Sequence, residues 1–190
     1  MMFDLPLPPT PTLETERLIL RPPALRDIPA IQREFPHWEI VRYLRAEIPW
    51  PYPDDGAETN MYEAIAAMEA GETLSWVLTL KGGDDEAIGR IELKPNVAGR
   101  DMRGFWLARA YWGRGLMTEA ADRVTRYAFE ELDWPFLYLT NAAANRASHR
   151  VKEKQGAVIV DREPFNYREG PGERVIWRLD REAWAARRGA

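Results

Sequence analysis

At 190 residues the chain is long enough for one domain with a real core, and a makeup of 45% hydrophobic and 29% charged residues excludes a disordered polypeptide. A net charge of −4 argues against a general nucleic-acid surface, and the absence of cysteine excludes disulfides, thiolate metal sites and a cysteine nucleophile. Residues 1–12 show neither a basic n-region nor an apolar run, so they do not read as a signal peptide, and no stretch approaches the ~18 apolar residues of a membrane span. A cytoplasmic protein with no membrane or nucleic-acid partner is expected.

The proline-rich residues 1–12 read as a flexible arm. Leu18–Arg21 is a short strand stopped by Pro22 and Pro23, neither of which can donate to a ladder. Asp27 reads as the N-cap of a helix to about Glu34, with Pro29 in the first turn, where a missing N–H is harmless. A second short helix is expected over residues 38–44. Residues 48–53 (IPWPYP) can be neither helix nor central strand, and form a rigid aromatic loop. Over residues 59–70, Met61, Ala64, Ile65 and Met68 repeat at amphipathic-helix spacing until Gly71. Strands at 74–80, 87–93 and 103–108, separated by turn-forming residues, predict an antiparallel meander. After Tyr111-Trp112-Gly113-Arg114-Gly115 the period changes, with Met117, Ala120, Ala121, Val124, Ala128 and Leu132 along one helical face. A strand at 137–139, a helix capped by Asn145 and ended by Gly156, and a hairpin of 158–160 with 175–179 complete a mixed α/β domain over 13–182, followed by a tail at 183–190.

The strand-to-helix turn at 111–119 is the first chemical candidate. A helix N-terminus offers unpaired N–H groups and the positive end of the macrodipole to an anion, and glycines let a ligand approach the backbone closely. The amides of Arg114, Gly115, Leu116, Met117 and Thr118 would face a pyrophosphate; equally, two glycines make a tight turn. Neither the Walker lysine nor the third glycine of a dinucleotide fingerprint is present.

A second element lies downstream, Asn145-Arg-Ala-Ser148-His-Arg-Val151-Lys-Glu-Lys154-Gln-Gly156-Ala157, and a third upstream, Glu14-Thr-Glu-Arg-Leu-Ile-Leu-Arg-Pro22. Together with Tyr111–119 the three resemble, in order and over about residues 13–180, the GNAT superfamily of acyltransferases and within it the branch that acetylates the N-termini of ribosomal proteins. Trp112, Gly115 and Met117 stand where the general superfamily pattern has Gln or Arg, Gly, and Gly or Ala.

The resemblance implies a mostly antiparallel central sheet flanked by helices and splayed between the fourth and fifth strands, 103–108 and 137–139. It implies acetyl-coenzyme A as donor, its pyrophosphate on Trp112, Gly113 and the amides already named, and its pantetheine arm beside Phe105, Trp106 and Leu107. A backbone N–H there, that of Leu107, would face the thioester oxygen. Asn145 is carried over as a partner of the pantetheine arm and Ser148 as proton donor to the leaving thiolate, although Ser148 could also be a plain helix serine. Glu92, alternating against Ile91 and Leu93, is a candidate base over the cleft or a solvent-facing carboxylate. Arg109, Arg114, Arg146 and Arg150 could meet phosphates or water, with Arg109 and Arg150 the cofactor candidates outside the turn. His37 and His149 are lone histidines, and His149 points about 100° from Ser148. Trp38, Trp50 and Tyr52 are expected at the acceptor, a protein N-terminus or a small amine, with a monomer or homodimer and no metal. A non-catalytic acyl-coenzyme A-binding domain is the remaining alternative.

Overall fold

The computed structural model describes residues 3–188. Leu13–Glu14 (β1) and Leu18–Arg21 (β2) begin an antiparallel five-stranded sheet that continues through Leu74–Leu80 (β3), Gly89–Leu93 (β4) and Arg103–Leu107 (β5) in that order. Ile28–Glu34 (α1), Trp38–Val41 (α2) and Gly56–Glu69 (α3) lie between β2 and β3 in sequence, and Leu116–Arg126 (α4) follows β5. Phe136–Ala142 (β6), Val158–Tyr167 (β7) and Gly170–Asp180 (β8) form a second antiparallel sheet in the order β6-β8-β7, with Arg146–Gln155 (α5) between β6 and β7 and Arg181–Arg188 (α6) last.

The apolar pattern explains which face each element buries. β3 is buried on both sides because α1 and α3 cover Val77, while Trp76 and Leu78 face the larger core. On β4, Ile91 and Leu93 join that core and Arg90 and Glu92 point the other way. α4 lays Leu116, Met117, Ala120, Ala121 and Val124 beneath β2 to β5, at helical spacing, and the same core runs on to Leu137, Leu139, Trp177 and Leu179 of the second sheet.

The two sheets part between β5 and β6, where the splay was expected. Met102 N–H donates to Tyr138 O (2.9 Å) at the near end, and beyond it the strands are unpaired. A buried polar network fixes the floor of this split: the Arg103 guanidinium on β5 donates to Thr125 Oγ1 (2.6 Å) and Ala121 O (3.3 Å) on α4 and to Gln155 Oε1 (2.7 Å) on α5.

Four sequence expectations change. Residues 3–12 are no loose arm: Leu7 is buried and its N–H donates to Gly71 O, Phe3 packs edge-on against Trp134 and Phe136, and Pro11 O accepts from the Trp76 indole. Residues 1–2 lie outside the described residues. The expected tail belongs to α6 through Arg188 and buries Trp184 against Phe129; residues 189–190 lie outside the described residues. α2 stops at Val41, short of residue 44. Asp27 does occupy the N-cap of α1, but its carboxylate binds the Arg21 guanidinium through both oxygens and accepts from Ala24 N–H, bracing β2 against the helices.

Candidate active site

Gly113 and Gly115 both adopt left-handed backbone (φ +74° and +77°), which side chains disfavour, and a Cβ at Gly113 would meet nothing within 4 Å. Gly115 is the N-cap of α4 and no side chain caps it, so the first amides of the helix are left for a ligand. The segment 14–22, recognised in the sequence only as a motif, now has a physical task. Glu119, in the first turn of α4, accepts from Thr15 Oγ1 (2.5 Å), from Arg17 N–H (2.9 Å) and from the Arg17 guanidinium (2.7 Å), which also donates to Arg114 O (2.9 Å). Burial would raise the Glu119 carboxyl, but Thr15 and Arg17 hold it below the ordinary carboxylate range. Arg17 thereby offsets the Glu119 charge, which would repel an anion at this helix end, and ties the turn to the β1–β2 connection.

Along β5, between Arg103 and Trp106, the split sheet opens into a cleft of about 660 Å³. Ala108 N–H bonds back to Ile88 O on the β4 side; since alternate residues of a strand point their polar groups to opposite edges, those of Phe105 and Leu107 face the split. The Trp112 indole donates to Leu107 O (2.7 Å), tying the turn to that edge and leaving the Leu107 N–H. Glu92 lines the cleft rather than facing bulk solvent, lying over Gly104, where a Cβ would stand 3.3 Å from its Oε1. Its carboxylate is bound by Lys94 (3.1 Å) and Arg90 (3.7 Å). Burial would raise it, yet the two cations hold it below the ordinary range, so it is a weak base suited to a water relay or to orienting an ammonium.

Asn145 and Ser148 both reach the cleft from α5. Asn145 Oδ1 caps the helix by accepting from Ser148 N–H (3.1 Å), which leaves its amide NH₂ for a ligand. Ser148 has a partner that sequence reasoning missed: Lys152 Nζ lies 2.8 Å from Ser148 Oγ and 3.3 Å from Ser148 O. Lys152 is 1% exposed and sits over the Phe105 ring. The signal available was the spacing, because 148, 152 and 155 share one helical face. Burial, aided by the nearby Arg103 charge, pushes the Lys152 ammonium well below 10.5. Between that lowered value and 10.5 the unfolded chain holds a proton that the native one has released, so the burial of this lysine costs stability on the acid side and the cost disappears as pH rises to 10.5. Lys152→Met is expected to raise the melting temperature at pH 7, with the gain shrinking toward pH 10.5, as calorimetry across pH would show.

Other candidates lie elsewhere. Trp38 and Trp50 pack on each other at the surface (centroids 5.4 Å apart) and do not line the cleft; Tyr52 does, packed edge-on against Phe35, which also holds Trp106. Arg109 is turned to Glu39 (2.7 Å), and Arg114 lies over the Tyr111 ring. Arg146 and Arg150 are exposed at the start of α5. His149 turns from Ser148 onto Trp177 (4.5 Å), and burial lowers its imidazole. Among the described residues no group of three or more His, Cys, Asp or Glu could hold a metal ion, and no helix is long and apolar enough to cross a membrane.

The split sheet, the uncapped glycine turn and the α5 polar groups are features of one class of enzyme. Residues 17–158 match the model of the acetyltransferase (GNAT) domain, and the chain belongs to that family of N-acetyltransferases. It is 28% identical over 125 residues to an uncharacterized N-acetyltransferase, p20, of Bacillus licheniformis, across 64% of this chain and 68% of that one. In fold it matches Mycobacterium smegmatis RimJ, solved in complex with a CoA-disulfide (TM-score 0.78, 18% identity, 93% and 91% of the two chains). It also matches the ribosomal-protein-S5-alanine acetyltransferase of Vibrio fischeri (TM-score 0.75, 14% identity, 92% and 98%).

Proposed function

We propose that the chain is a cytoplasmic enzyme that moves an acetyl group from acetyl-coenzyme A to the free N-terminus of a protein or peptide, by direct attack in a ternary complex. The observation that carries this reading is the junction of an uncapped helix N-terminus with a split sheet whose open edge offers the Leu107 N–H. The residues present fit a nucleotide thioester. The amides of residues 114–118, with Gly113 leaving open space, suit its pyrophosphate. The edge of Phe105, Trp106 and Leu107, with the Asn145 amide, suits the pantetheine arm. The bound thioester supplies an activated acyl carbon.

The chain's residues then have three tasks. The Leu107 N–H stabilises charge developing on the acyl oxygen. Ser148 gives a proton to the departing sulfur, and Glu92 orients the amine or takes through water the proton that an ammonium acceptor loses before attack. An α-amino group has a pKa near ~8 and needs little help to be neutral, so a carboxylate weakened by Lys94 and Arg90 suffices; holding the amine beside the acyl carbon can supply up to ~7–11 kcal/mol. The open cleft admits an extended chain end, and the fold likeness to an S5-alanine acetyltransferase supports a protein acceptor.

The test is thiol release from acetyl-coenzyme A over a panel of peptides, N-terminally blocked peptides and small amines. Turnover with free peptide N-termini that blocking abolishes is expected. Turnover confined to small amines would overturn the acceptor, and coenzyme A binding without any turnover would overturn catalysis. Ser148→Ala is expected to lower kcat about 100-fold, within the range of general acid catalysis, with donor affinity unchanged by titration calorimetry.

A further inference from the structure

Lys152 is fully buried behind the one hydroxyl that α5 presents to the cleft, and among the described residues no carboxylate makes an ion pair with it. The groups facing it are Arg103 from β5, Asp101 just ahead of that strand, the Phe105 ring, and Ser148 and His149 on its own helix. Arg103 is itself buried, with Nη1 donating to Thr125 and Ala121 and Nη2 to Gln155, so a second positive charge beside it would be unfavourable. A lysine that only filled space here would lose nothing as methionine and would avoid the desolvation of an amine. Its aim at Ser148 Oγ calls for another reason.

We infer that Lys152 is a positioning residue that works as a neutral amine behind Ser148, making the serine a two-way proton relay between the acceptor nitrogen and the departing sulfur. The inference rests on the proposed acetyl transfer. With Nζ neutral, either group can donate across the 2.8 Å contact, and the relay starts from the arrangement in which the Ser148 hydroxyl donates to Nζ and the Oγ lone pairs are left toward the cleft. When the acceptor nitrogen bonds to the acyl carbon it becomes cationic. It loses its proton to Ser148 Oγ as the hydroxyl proton passes to Nζ. When the carbon–sulfur bond breaks, its electron pair stays on sulfur; Ser148 gives the sulfur its proton and recovers one from the Lys152 ammonium. One proton moves from nitrogen to sulfur, and both side chains return to their starting state. A serine alone can give a proton but has no means of replacing it inside the cleft.

Two measurements test this, one of them independent of turnover. The chain has only four lysines, Lys81, Lys94, Lys152 and Lys154, so ¹³Cε resonances of labelled lysine can be followed across pH in the protein without coenzyme A. One resonance, missing from Lys152→Gln, is expected to titrate well below 10.5. In peptide acetylation Lys152→Gln, which keeps a donor near Ser148 but cannot take up a proton, is expected to lose about 100-fold in kcat. Its KM for acetyl-coenzyme A and its folding should be unchanged, and it should lose the acid limb of the wild-type kcat profile. A Lys152 resonance titrating near 10.5, or a Gln variant with wild-type kcat, would overturn the relay while leaving the transferase reading intact. Absence of turnover in the wild type would remove the reaction for which the relay is inferred, while the titration would still report the state of Lys152.

Discussion

Gly115→Asp is expected to weaken coenzyme A binding by at least about 100-fold while the protein remains folded. A Cβ at this position would meet only Arg17 Nη2, at 3.6 Å, so the side chain has room. The φ of +77° adds about 1–2 kcal/mol of backbone strain, a loss of stability that calorimetry would register separately from affinity. The effect on binding is electrostatic. A carboxylate at the N-cap takes up the helix amides that would serve the pyrophosphate and sets a like charge beside it. Two unit charges about 4 Å apart near a protein surface repel by about 4 kcal/mol, and every 1.4 kcal/mol is tenfold in affinity. Gly115→Ala carries the strain without the charge and separates the two contributions. Titration calorimetry on both variants, with circular dichroism as the check on folding, measures the difference.

Trp76→Ala is expected to cost about 3–5 kcal/mol of stability, the range for removing a fully buried large aromatic side chain, and about 10 °C in Tm for a domain of this size. Trp76 is 0% exposed in the centre of β3 and meets Tyr127 of the turn after α4 edge-on (5.9 Å). Its indole donates to Pro11 O (2.6 Å), so the truncation opens a cavity and also removes one of the bonds that tie residues 3–12 to the core. Trp50→Ala provides the contrast: that ring is 39% exposed, and its loss is expected to cost less than about 1 kcal/mol. Thermal denaturation of both variants gives the ordering directly.

What the sequence revealed of the site follows from what side-chain patterning encodes. β4 and α4 were readable because each buries one face at a fixed period, as in Ile91 and Leu93 or Ala120, Ala121 and Val124, and β3 because it is a mostly apolar run between turn residues. The long β7–β8 hairpin was read as only a few residues on each strand. Its outer half is polar, and it is held by the backbone ladder and by ion pairs such as Arg100–Asp161 and Arg162–Glu173, for which hydropathy carries no signal. The early tryptophans misled for the opposite reason, since Trp38 and Trp50 satisfy each other at the surface. Arg17 with Glu119, and Ser148 with Lys152, differ in kind. The first pair is 102 residues apart and no local rule joins it, whereas the second stood four residues apart on one helix and could have been found.

A crystal structure of the protein with coenzyme A tests the central claim most directly. The expected result is a pyrophosphate about 3 Å from the first backbone amides of α4, with the pantetheine arm entering the split between β5 and β6 beside Asn145 and Ser148. A nucleotide bound elsewhere, with the Gly113–Gly115 bend making no contact to phosphate, would contradict it.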